Sequence, residues 1–166
     1  MKPLTNSQAL FFGTLTVGGL DIVDALVFFG LRGVPPIRIF QSIASGLLGK
    51  SAYAGGLPTA FLGGLLHFFI AFGVVAVFLL ASRRFPQLAR HPLLLGPVYG
   101  LLVFAVMYLV VLPLSAAGGR LPSGTSLINA LAIHMLGVGL PSALFASWLE
   151  GPSRGLVPGP PESQTG

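Results

Sequence analysis

Residues 16–29 read TVGGLDIVDALVFF. This stretch lies inside an apolar run long enough to cross a bilayer, yet it carries Asp21 and Asp24. A carboxylate at membrane depth costs at least a few kcal/mol, so such residues face the interior of a bundle and serve a purpose there. The chain has four acidic residues in all; the other two, Glu150 and Glu162, sit at or beyond the end of the last apolar run.

Composition makes the fold a question of counting spans. Of 166 residues, 54% are hydrophobic and 8% charged, with a mean hydropathy of +0.88. A soluble domain needs about 25% charged residues to cover its surface. The formal charge of +5 comes from Lys and Arg spread over loops and tails. That spread suits anionic lipid headgroups; a nucleic-acid site needs a clustered basic face, so no nucleic-acid partner is expected. There is no cysteine, which excludes disulfides, thiolate metal sites and a Cys nucleophile. Lys2 and the apolar run after it have some features of a signal peptide. The run is too long, two aspartates interrupt it and no A-x-A-like site follows, so it reads as a retained first helix.

Four spans follow, at about 8–30, 58–81, 93–115 and 126–149. Ser7 or Asn6 is the expected cap of the first. Gly13, Gly18 and Gly19 give it a small face for close helix packing, and Gly96 and Gly100 form a GxxxG spacing in the third. Between the first two spans lies IRIFQSIASGLLGK, 37–50, with Ile37, Phe40, Ile43 or Ala44, and Leu47 at helical spacing among polar residues. It reads as an amphipathic helix too short and polar to span, lying in the interface, with re-entry into the bundle as the alternative. Pro141 marks a kink in the fourth span, and Trp148 sits near its end. The expected architecture is all-α: one four-helix transmembrane domain over 1–150, an interfacial helix, and a disordered Pro/Gly-rich tail over 151–166.

Orientation follows from the cations. Lys2, Arg83, Arg84, Arg90 and Arg154 fall on one side; Arg32, Arg38, Lys50 and Arg120 fall on the other. The three arginines packed into the 82–92 loop favour both termini inside. His91, in the same loop, reads as a headgroup contact.

Depth then groups the polar residues. At about 1.5 Å per residue, Asp21, His67 and His134 each lie roughly 12–13 Å from the same surface. Asp24 is one turn nearer that surface on the face of Asp21. Asn129 and Tyr108 lie at or above this layer. Such a layer has three chemical readings. Asp21, Asp24, His67 and His134 offer carboxylates and imidazoles to a divalent metal. A carboxylate beside a histidine titrates near neutral pH and handles protons or ions. Two histidines can ligate a haem, although no haem-binding sequence context is present. Against all three stands a structural role, in which the polar residues hydrogen-bond across helices and set register. A cofactor is not expected under the proton or structural reading. No H-E-x-x-H, G-x-S-x-G or Walker loop is present, and no enzyme activity is expected.

Several stretches carry a resemblance: GGLDIVDALVFFGLRGVPPIRIFQSIASGLLG (18–49), LLHFFIAFGVVAVFLLASRRFP (65–86), PVYGLLVFAVMYLVVLPLSA (97–116) and IHMLGVGLPSALFA (133–146). Together they resemble small uncharacterised bacterial inner-membrane proteins of the YagU-like group, which is associated with acid resistance. The resemblance implies a multi-pass inner-membrane location and a place in acid or envelope stress, and it supplies no active site. The bilayer is the expected partner, with a homo-oligomer or a membrane partner subunit as a further expectation.

Overall fold

The computed structural model describes residues 4–150, and the expected disorder of 151–166 lies outside them, as do Lys2 and Arg154. The fold is all-helical, with 86% helix and no strand among the described residues. Four helices are long and apolar enough to cross a membrane: α1 (Asn6–Gly30), α3 (Gly56–Arg84), α4 (Pro92–Leu114) and α5 (Gly124–Leu149). The shorter α2 (Pro36–Leu48) lies between the first two and is followed by a 3-10 segment, Gly49–Ala54.

Local chemistry sets the ends. Thr5, rather than Ser7 or Asn6, caps α1: its hydroxyl accepts from the Gln8 amide while the Gln8 side chain accepts from the Thr5 amide. This reciprocal pair satisfies two donors that a helix start leaves open, which neither other residue achieves alone. After Gly30 the chain reverses through Gly33, at φ +83°, and Pro36 opens α2. The basic 82–92 loop contains a one-turn helix, Gln87–Arg90, whose Ala89 is buried against the end of the bundle.

The four long helices pack tightly at one end only. The core comprises Ala9 and Val17 of α1, Val75, Phe78 and Leu79 of α3, Val103 of α4, and Val138, Ala143 and Ala146 of α5. These residues come from the first part of α1 and α4 and the last part of α3 and α5. They therefore share the end that carries the N-terminus and the basic loop. Tyr99 crosses it, donating to the Val74 carbonyl at 2.7 Å with its ring 4.8 Å from that of Phe78.

Glycines set how closely the helices approach. A Cβ on Gly100 would sit 2.0 Å from the His134 carbonyl oxygen, and one on Gly139 would sit 2.2 Å from that of Gly96. The GxxxG pair of α4 is thus spent within the chain, backbone against backbone with α5. On α1, Gly13 and Gly18 meet Val75 and Phe68, whereas Gly19 has nothing within 4 Å.

The position of α2 differs from a helix lying free on the surface. It crosses α3 at Gly63, where a Cβ would be 1.9 Å from the Phe40 carbonyl oxygen. Gly63 is roughly 10 Å along α3 from its start, so α2 is part of the helical body. Its inward face carries Ile39, Gln41, Ala44 and Ser45. Of the stripe expected to anchor it, Ala44 is buried, Ile37, Phe40 and Ile43 are half-buried, and Leu47 is turned out at 64% exposed. Close crossing demands small residues at the contact, which displaces the large ones. The Gln41 amide donates to the Gly56 carbonyl at 3.0 Å, and the Gly46 carbonyl accepts from the Ala116 amide at 2.9 Å. These bonds fasten α2 to both the start of α3 and the end of α4.

A Gly100→Leu substitution should lower stability by at least about 1–3 kcal/mol, the range for overpacking a tight contact. Gly19→Ala, at an open position, should be neutral or stabilising by up to about 1 kcal/mol. Equilibrium unfolding in detergent separates the two.

Candidate functional site

Beyond the packed end the bundle opens into a cavity of about 610 Å³. Its walls come from the last part of α1, from α2, from the middle of α3, from the last part of α4 and from the first part of α5. Asp21, Asp24, His67, Tyr108, Asn129 and His134 all line it. The packed core closes the cavity on the side of the N-terminus. The core residues Val17, Ala71, Val103 and Val138 also line it, so it is a funnel seated against the packed end.

Within the funnel the polar residues form two groups. Near its mouth, the Asn129 amide donates to Asp24 Oδ2 at 2.7 Å, across from α5 to α1. Deeper, Asp21 Oδ2 faces His67 Nδ1 at 3.9 Å. The other ring nitrogen of His67, Nε2, lies 2.8 Å from the Gly18 carbonyl oxygen. A carbonyl only accepts, so Nε2 carries a proton. In the neutral ring Nδ1 then presents a lone pair toward the carboxylate. Two acceptors face each other, and the arrangement is favourable only when a proton resides on one of them. Asp21 is 32% exposed to the funnel and receives no hydrogen bond among the described residues.

His134 lines the same cavity from α5. Its Nδ1 lies 2.8 Å from the Ala130 carbonyl of its own helix and so is the donor. Its ring stands edge-on to Phe104 at 5.6 Å and 6.1 Å from Tyr108. Asp21 is within electrostatic reach of His134, His67 and Asp24, and Tyr108 is within reach of Asp21.

Two widened helical turns present this wall. Met107–Val111 and His134–Gly139 are π-helical, with i to i−5 bonds from Leu112 to Met107 and from Leu140 to Met135. Each ends one residue before the residue that precedes a proline, Pro113 or Pro141. A proline has no N–H for the carbonyl four residues back and clashes with it; the wider turn relieves that clash. The kink expected at Pro141 takes this form. Its counterpart at Pro113 was not expected, although the Leu-Pro pair is the same.

The metal reading meets an obstacle in this geometry. Among the described residues no group of three or more His, Asp or Glu side chains converges as a metal site. Asp24 accepts from the Asn129 amide, while each histidine donates one N–H to a backbone carbonyl and keeps its other nitrogen free. Proximity in depth places the four around one funnel without turning them toward one point.

Other polar residues are accounted for structurally. Ser45, Ser82 and Ser142 bond back to carbonyls of their own helices. The sequence reading missed Arg38, Tyr53, Ser42 and Ser126, which also line the funnel. Arg38 donates to the Tyr53 carbonyl at 2.9 Å and to Gln41 Oε1 at 3.3 Å. Its polar helix face was legible, but only the crossing at Gly63 turns that face toward the cavity. His91 lies in the basic loop at the packed end, away from the funnel.

No family model, no curated protein and no solved structure matches the chain.

Asn129→Ala should cost about 0.6–1.7 kcal/mol, the range measured for interhelical hydrogen bonds in bundles. A double-mutant cycle with Asp24→Ala in detergent unfolding should return that coupling.

Proposed function

We propose that this chain is a multi-pass protein of the bacterial inner membrane that takes up and releases protons at the Asp21–His67 pair, with no enzymatic step. Membrane insertion is supported by the four apolar helices and by their outer surface. Large apolar residues such as Phe61, Phe69 and Leu101 point outward. A helix apolar on every side needs an apolar surround. Both termini lie in the cytoplasm in this reading, because Arg83, Arg84 and Arg90 are concentrated at the packed end. The funnel then opens to the periplasm, the side that meets external acid first. The YagU-like resemblance, with its acid-resistance association, supports a place in acid or envelope stress.

The observation that carries the proposal is the carboxylate facing the free nitrogen of a histidine whose other nitrogen is committed to Gly18. The pair is built to hold one proton, and Asp21 is part-exposed to the cavity. A buried acid–imidazole pair of this kind is a common proton carrier inside membranes. Because the packed core closes the other side, release there requires the packed helices to move, as in a carrier.

A second reading is a structural accessory subunit, favoured by the Asn129–Asp24 bond and the His67–Gly18 bond, each of which ties two helices together. The two separate cleanly. In liposomes containing a pH-sensitive dye, the wild type should dissipate an imposed proton gradient. Asp21→Asn should reduce the rate at least tenfold, to the protein-free level, with a near-unchanged melting temperature. A rate equal to the wild type, with only the melting temperature altered, would establish the structural reading.

A further inference from the structure

A proton needs almost no room, and a bare ion little more. The funnel has a volume of about 610 Å³, within the range of about 300–1,000 Å³ typical of sites for organic ligands. Most of its wall is apolar, including Ile39, Ile43, Val103, Met107 and Val111. Its polar groups are few and grouped, which is the pattern of a site that orients an organic molecule.

Charge identifies the class of occupant. The titratable groups facing the funnel are Asp21 and Asp24 from α1, Arg38 from α2, Tyr53 from the 3-10 segment, His67 from α3, Tyr108 from α4 and His134 from α5. With neutral histidines, two carboxylates stand against one fixed cation. Arg38 is exposed and held to the outer wall by the Tyr53 carbonyl and Gln41, with its guanidinium 5.6 Å over the Tyr53 ring. Asp24 has its amide donor in Asn129, while Asp21 has no donor and faces a lone pair. The unmet carboxylate thus lies among apolar and aromatic side chains, where a cation with an apolar body gains both ion pairing and burial.

We propose that the funnel binds a monovalent organic cation, seated against Asp21, in exchange for the proton held by the Asp21–His67 pair. This rests on the proton reading above and names the substrate class of the same site. A proton on the pair cancels the negative charge that the cation needs. A cation on the pair expels the proton. The two ligands therefore compete, and cation affinity rises with pH.

Tetraphenylphosphonium is the probe, because its charge does not titrate and any pH dependence belongs to the protein. Calorimetry on the full chain in detergent, in buffers of different ionisation enthalpy, should show saturable binding with release of about one proton per cation. Affinity should fall as the pH is lowered, because the proton and the cation compete for one site. Asp21→Asn should abolish saturable binding, and Asp21→Glu should retain it. Val111→Trp, which narrows the funnel without touching a charge, should weaken binding. Size-exclusion profiles and melting curves identify any variant that fails to fold, in which case Asp21→Glu and Val111→Trp decide. Absence of saturable binding to the wild type, equal binding to Asp21→Asn, or binding without proton release and pH dependence would each overturn the proposal. Proton movement in liposomes that still depends on Asp21 would then leave the proton reading standing alone. Saturable, proton-releasing binding without that movement would instead limit the protein to binding and remove transport.

Discussion

The fold depends on backbone meeting backbone where a side chain would not fit. At Gly100 the α4 helix lies against the His134 carbonyl, and at Gly139 the α5 helix lies against Gly96. Between apolar helices in lipid there is no hydrophobic drive to associate, so such contacts supply dispersion and weak Cα–H···O bonding instead. They fix α4 to α5 at one level. Tight contact there, together with the Val75 and Phe78 core, forces the funnel to the other end. The crossing of α2 over Gly63 then supplies the fifth wall that four splayed helices lack.

The same helices are widened near the contact. The π turns at Met107–Val111 and His134–Gly139 lie on neighbouring helices, and each includes an aromatic member of the polar layer, Tyr108 or His134. Proline forces the turn to widen, and the widening changes which residues face inward, since it adds a residue to one turn. The regular 3.6-residue period cannot continue through either turn. Pro113 and Pro141 thus act on the site from outside it, by resetting the rotation of the helix that carries it.

Much of this was legible in the sequence, and the reasons are particular. Asp21 and Asp24 were visible because a carboxylate is anomalous inside an apolar run. His67 and His134 joined them because helical rise converts residue number into depth. Those arguments constrain one coordinate only. Rotation about each helix axis decides which atoms meet, and small errors there separate ligation from mere proximity; hence the candidate metal ligands share a depth without converging among the described residues. For α2 the apolar stripe held at Ala44 and failed at Leu47, because the close crossing at Gly63 also draws in Ile39, Gln41 and Ser45, which lie beside the stripe. Arg38 went unnoticed for the same reason: its importance depends on a tertiary crossing, not on its own neighbours in sequence. The choice of Thr5 over Ser7 as the cap depends on Gln8 reaching back, a reciprocity that single-residue preference does not encode. The volume of the funnel has no sequence signature, since it is the space left between backbones.

On the proton-carrier reading proposed above, a funnel filled with water on one side and packed on the other has an electrical consequence. In a bilayer under a membrane potential, water conducts, so little voltage falls along a wet funnel. Nearly the whole drop is focused across the packed half, through Val17, Val75, Phe78 and Val138. A charge reaching Asp21 from the open side crosses almost none of the field. A charge leaving through the core crosses nearly all of it, worth about 2.3 kcal/mol per 100 mV. If the protein carries charge in this way, one half-step is indifferent to voltage and the other is strongly driven by it.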